Sequence, residues 1–147
     1  MALEQMEIVY RLLAATLLGA IVGFERELRR TAAGIRTLSI VCLGSAMFTL
    51  IALMASTGTD QNPGIITASI ITGIGFLGAG SILRTTSDVK GLTTAASIWL
   101  VAAVGMAVGY GFYYEAFIVT ILAVIVLAMV KLVEVEYFNK GQKRKLG

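Results

Sequence analysis

The chemistry open to this 147-residue chain is narrow: it carries nine acidic and twelve basic side chains but no histidine. Without imidazole, the commonest general base and the commonest metal ligand are both missing. Serines and threonines are numerous, yet none has a histidine to activate it, and no two carboxylates stand at a catalytic spacing. No catalytic residue, metal ligand or cofactor is therefore assigned, and nothing points to a nucleic-acid partner. Cys42, the single cysteine, lies inside an apolar run, where it reads as a small packing residue and rules out an intramolecular disulfide.

The polar residues gather in two short stretches. One holds Glu25, Arg26, Arg36 and Thr37; the other holds Arg84, Asp88, Lys90, Thr93 and Thr94. If both stretches lie on one side of a membrane, they can meet in a single charge-paired cluster, with Glu25–Arg84 or Arg36–Asp88 as pairs. The plainer reading makes them topogenic charges and helix caps, Thr93 capping the helix that follows. Arg11 stands apart, with Glu7 four residues before it, a spacing that places an ion pair on one helical face. Gly73, Gly75 and Gly78 spell a GxGxxG pattern, but inside an apolar run, whereas a dinucleotide fingerprint needs a preceding strand and a helix opening on the phosphates. Helix packing or a local helix break is the better account.

The elements that must position these residues are membrane helices. Hydrophobic residues make up 57% of the chain, charged residues 14%, and the mean hydropathy is +0.85, which leaves too little polar surface to cover a globule in water. Five apolar segments approach the roughly 20 residues needed to cross a bilayer: 8–24, 38–56, 64–83, 93–112 and 116–133. The expected fold is an all-α membrane bundle of about five transmembrane helices over residues 1–138, with a basic cytoplasmic tail over 139–147. The first segment leads into an arginine-rich stretch rather than a cleavage site and reads as a retained span. Arg26, Arg29, Arg30 and Arg36 fill the first connection, Arg84 and Lys90 the third, and Lys140, Lys143, Arg144 and Lys145 the tail, while the intervening connections carry no Lys or Arg. Positive charge is retained inside, so the amino terminus is expected outside and the carboxyl terminus in the cytoplasm. Lys131 fits a snorkelling residue, and Tyr110, Tyr113 and Tyr114 mark the outer interface.

Helix association in lipid depends on close packing of small residues. The first segment offers Ala15, Gly19 and Gly23 in one row; the second Ser45, Thr49, Ala52 and Ser56; the fourth Ala95, Ala102, Gly105 and Gly109. The third combines a small face, Ala68, Thr72, Gly75 and Ala79, with a bulky one, Ile66, Ile70, Ile74 and Leu77, and carries Gly73, Gly78 and Gly80 besides. It is expected at the centre of the bundle, with Trp99 filling a gap inside. Small faces beyond those one bundle can bury imply a homo-oligomer, a dimer first.

The strings GAIVGFERELR at 19–29, AGIRT at 33–37, LGSAMFTL at 43–50, ITGIGFLGAGSILR at 71–84 and VKGLTTAASIWLVAAVGMAVG at 89–109 resemble the membrane domain of the MgtC/SapB family. The resemblance implies a bacterial inner-membrane protein linked to growth in low magnesium, to intramacrophage survival and, in some members, to inhibition of an F-type ATP synthase, which makes a membrane ATPase a candidate partner. Leu38 stands where family sequences commonly place a histidine after AGLRT. The chain is expected to be a short member, without the cytoplasmic carboxyl-terminal domain that many members carry.

Two functional classes stand above the enzyme. A regulatory protein acting through helix–helix contacts with membrane partners, its own copies included, fits an interior of small residues. A transporter or channel for Mg²⁺ or another cation needs carboxylates or carbonyls along its path. No Asp or Glu falls within the middle of any span, and a carbonyl-lined break at 73–80 is the feature that would favour it.

Overall fold

The computed structural model describes residues 4–58, 60 and 62–143, with side chains described through residue 129. The chain forms five helices and one small hairpin: α1 (Gln5–Leu28), α2 (Ile35–Ser56), α3 (Gly64–Gly80), β1 (Leu83–Arg84), β2 (Val89–Lys90), α4 (Leu92–Tyr110) and α5 (Tyr113–Lys143). Lys131 and the basic tail at 139–147 fall outside the described side chains.

α1, α2 and α4 are long and apolar enough to cross a membrane; α3 and the Tyr113–Met129 part of α5 are shorter apolar helices. Large apolar side chains also face outward. Along α1, Met6, Tyr10, Leu13, Leu17, Phe24 and Leu28 repeat every three to seven residues and are all exposed. Such stripes are not tolerated on a soluble monomer and are what a lipid-facing helix requires.

α2 lies at the centre, packed along both α1 and α4, while α5 leans on α1 and α4. The small rows make this approach close. A Cβ added at Gly19 would lie 2.8 Å from the carbonyl oxygen of Leu38, and one at Gly23 2.6 Å from the Cα of Ile35. On the other flank, a Cβ at Gly109 would lie 2.9 Å from the carbonyl oxygen of Ala46, and Gly105 abuts the backbone of Cys42. Between these crossings Val22, Leu38, Cys42, Ala46, Val101, Val104 and Val108 are buried. Ser45 and Thr49 share this interface.

The structure corrects the central place expected for α3. Only Thr67 and Gly78 of this helix are buried, and a Cβ at Gly73, Gly75 or Gly80 would meet nothing within 4 Å. Its contacts run mainly to α4, through Gly78, where an added Cβ would lie 3.6 Å from the Ala95 carbonyl oxygen, and a hydrogen bond from Tyr110 to Thr67 at 3.3 Å. The reason is competition: the small rows of α1, α2 and α4 already close against one another, leaving α3 on the flank. Trp99 differs from expectation likewise. It is 53% exposed, because it projects from α4 away from the buried Ile98, Val101 and Ala102.

The third connection, expected as a loop after a segment ending at 83, forms an antiparallel hairpin with Leu83 opposite Lys90 and Arg84 opposite Val89. Thr85 and Asp88 close its turn through Thr85 N–H to the Asp88 carbonyl at 2.9 Å. α4 then starts after Gly91, whose φ of 92° is a left-handed conformation that favours glycine. Thr93 is therefore inside the first turn rather than its cap.

Candidate functional site

Polar chemistry is concentrated at the two ends of the helices. At the end bearing the arginines, Glu25 and Arg26 are 7% and 6% exposed, unusually deep for charged residues. Glu25 Oε1 accepts from Arg29 Nε, one helical turn on, and Arg26 Nη1 lies 3.6 Å from Glu25 Oε2. Arg29 also donates to the Ala128 carbonyl of α5 at 3.3 Å. Glu25 Oε2 and Arg26 Nε have no hydrogen-bond partner among the described residues. The chain turns at Arg30, whose φ is 54°, and Thr31 donates back to the Arg26 carbonyl at 3.0 Å. Glu27 then accepts the Ile35 N–H at 3.1 Å, satisfying a free donor at the start of α2, which has no cap from its own Gly34.

The expected cross-pairs Glu25–Arg84 and Arg36–Asp88 are not formed. Ion pairs among the described residues are Glu7–Arg11, Glu25–Arg26 and Glu25–Arg29. Glu25 finds its cations on its own helix, at the short range α-helical geometry provides. Asp88 is committed to the hairpin turn, its Oδ1 accepting the Val89 N–H at 2.8 Å. Arg36, Thr37, Arg84, Asp88, Lys90 and Thr93 are exposed.

The two stretches do meet, through hydroxyls rather than charges. Thr37 of α2, Gly80 and Ser81 at the end of α3, and Thr94 of α4 line one cleft of about 360 Å³, with Phe76 and Ile98 among its apolar walls. Ser81 donates to the Gly78 carbonyl at 2.7 Å.

At the opposite end sits a second polar knot. Arg11 donates from Nε to Glu7 at 2.9 Å and from Nη1 to the Gly109 carbonyl at 2.7 Å. Tyr113 donates to the same Glu7 oxygen at 2.6 Å, and its ring centroid lies 6.0 Å from the Arg11 guanidinium carbon. Arg11 thus ties α1 to the last carbonyls of α4 and the start of α5. The sequence contained the Glu7–Arg11 pair but not this wider role. The available signal was the glycine-flanked end of α4 at Gly109 and Gly111, since the free carbonyls at a helix C-terminus attract a cation.

Elsewhere the hydroxyls serve their own helices. Thr16, Thr49, Ser97 and Thr120 each donate to the carbonyl four residues back at 2.8 Å. Among the described residues no three His, Cys, Asp or Glu side chains stand close enough together to hold a metal.

Outward apolar stripes around a core of small residues, with ionisable groups kept to the helix ends, define a helical membrane protein. The MgtC family pattern matches residues 12–135, and the chain belongs to that family. It is 45% identical to Protein MgtC of Salmonella typhimurium over 114 residues, covering 78% of this chain and 48% of that protein. Protein MgtC of Brucella abortus is 41% identical over 129 residues, covering 87% of this chain and 53% of its own length. An uncharacterized protein of Haemophilus influenzae is 35% identical over 150 residues, 97% of this chain and 63% of that one. The chain thus spans about half to two thirds of the length of these relatives. No solved structure matches it.

Proposed function

We propose that this chain is a multi-pass inner-membrane regulatory protein that works by helix–helix association, with five spans, the amino terminus outside and the basic end in the cytoplasm. The observation that carries this reading is the open small face of α3, where a Cβ at Gly75 meets nothing, beside a bundle already closed by Gly19, Gly23, Gly105 and Gly109. Small residues left unpacked in lipid suit a further helix, because backbone approach is the main source of attraction there. A second copy or another membrane protein fits that face. The family resemblance supports an activity in the response to magnesium limitation and in survival within a host, with a membrane ATPase as candidate partner.

The arrangement of charges weighs against a cation pathway. Glu7, Arg11, Glu25 and Arg26 lie near the two ends of α1, and the core between them holds only apolar side chains and small hydroxyl residues. Reconstituted protein is accordingly expected to show no saturable Mg²⁺ or proton flux, and Gly75→Leu is expected to reduce crosslinked dimer while leaving the fold intact. Robust flux would move the chain to the transporter class, and undiminished crosslinking would remove α3 from the interface.

A further inference from the structure

We infer that the groove between α2 and α3, together with the hydroxyl-lined cleft at its basic end, is a binding site for one phospholipid with an anionic headgroup. The inference rests on the membrane placement proposed above and not on the regulatory reading. The groove measures about 530 Å³, and its walls, such as Ile40, Phe48, Ile66 and Ile70, are apolar. Gly44 and Gly73 form its floor, and a Cβ on either would meet nothing within 4 Å. Val41 and Leu77 line both the groove and the 360 Å³ cleft, so the two are adjacent. On α3 the groove runs from Ile66 to Leu77. At 1.5 Å per residue that is roughly 16 Å, close to the ~15 Å depth of one leaflet's hydrocarbon.

The cleft supplies what a headgroup needs and an acyl chain does not. Thr94 is 6% exposed and lines the cleft, yet its hydroxyl has no hydrogen-bond partner among the described residues. That hydroxyl opens onto the cleft rather than being sealed in the core, so a polar ligand atom entering the cleft can bond it. Charge selects the ligand's sign. Arg36 adjoins Thr37, Arg84 follows Ser81 by three residues and Lys90 precedes Thr94 by four; all three are exposed and outside any ion pair among the described residues. The one acidic side chain of the hairpin, Asp88, accepts the Val89 N–H. α4 begins two residues before Thr94 with no side-chain cap, which places its positive end near the cleft. An acyl chain along the groove and a phosphate at Thr94 satisfy both halves at once.

The test is native mass spectrometry of the full chain released from detergent. It is titrated with phosphatidylglycerol, with phosphatidylcholine of the same acyl chains, and with inorganic phosphate. One saturable phosphatidylglycerol is expected, preferred over phosphatidylcholine on the order of tenfold by the basic side chains at the mouth. Thr94→Val should cut that preference several-fold, and Gly44→Leu should lower occupancy by both lipids with the circular dichroism of the wild type. Equal binding of the two lipids overturns the proposal, as does unchanged occupancy in Gly44→Leu. Full competition by inorganic phosphate would assign the cleft to a soluble oxyanion instead. A loss of self-association in Gly44→Leu without loss of lipid would make the groove a helix-docking surface. A basic end found outside the cell would overturn the proposed topology while leaving this titration unaffected.

Discussion

Replacing Gly23 by alanine sets helix propensity against packing at one point, and the structure says which effect wins. The added Cβ would meet three backbone atoms: the Ile35 Cα at 2.6 Å, the Ile35 nitrogen at 3.0 Å and the Gly34 oxygen at 3.1 Å. None of these can rotate aside. Reaching an ordinary contact of 3.4 Å or more requires α1 and the start of α2 to part by roughly 0.8 Å. A gap of that size forfeits about a quarter to a half of the dispersion attraction along the contact, and overpacking of this kind costs about 1–3 kcal/mol. Alanine returns up to about 1 kcal/mol of helix propensity. The net expectation is a loss of up to about 2 kcal/mol. Gly75→Ala is the matched control, since its Cβ meets nothing and only the propensity gain remains. Both variants should be unfolded by denaturant titration in the same micelle, followed by circular dichroism. The difference between them isolates the steric cost, because the propensity change is common to both. Equal stability of Gly23→Ala and Gly75→Ala would refute the claim that glycine is needed at the α1–α2 crossing.

Three further outcomes follow from the polar knots and the exposed aromatic. Arg11→Met removes the hydrogen bond to the Gly109 carbonyl and should destabilise by about 1.5–3 kcal/mol, nearly all of it from that bond, since Glu7 is too exposed for the ion pair to add much; thermal unfolding in detergent reads it, and a melting point equal to wild type would deny Arg11 its cross-helix role. Glu25→Gln leaves Arg26 and Arg29 without a counter-charge in a buried site and should cost several kcal/mol; adding Arg84→Glu should give no rescue, because Glu25 and Arg84 are not paired. Trp99, the only tryptophan, should be quenched strongly by lipids brominated in mid-chain, and an unquenched signal would place it inside a bundle instead.

Much of this arrangement could be read from residue order. The apolar runs mark all five helices, although α3 stops at Gly80 and α2 starts at Ile35, each three residues from the expected limit. The rows at Gly19 and Gly23 and at Gly105 and Gly109 lie at the two crossings of α2. The Glu7–Arg11 pair is also present, because an i,i+4 ion pair is a local property of a helix. The partners of Glu25 were not legible for a related reason. Given Arg29 four residues on, a local pair forms without any tertiary cost, and a distant Arg84 has nothing to add. The hairpin escaped notice because Leu83–Arg84 and Val89–Lys90 are two residues long, too short for alternation to declare a strand.

The misplacement of α3 exposes a limit of small-residue patterns. A row of small residues states that a backbone can be approached; it does not say by which neighbour, and every helix here carries such a row, α5 included at Ala116, Thr120 and Ala123. What decides is mutual fit. Gly105 and Gly109 of α4 receive the backbone of α2 around Cys42 and Ala46, and Gly19 and Gly23 of α1 receive the same helix at Leu38 and Ile35. α2 is thereby occupied on two flanks, and its Gly44, pointing to neither, is left facing the α3 side with open space above it. α3 cannot close that space, because its own contact with α4 is set by Gly78 on Ala95 and by Tyr110 on Thr67, which hold it to the far edge. The same residues that make α3 look central in sequence are therefore the ones left unsatisfied in the folded chain. That open flank, with Gly44 and Gly73 on it, is the surface to which the proposed lipid and helix contacts are assigned.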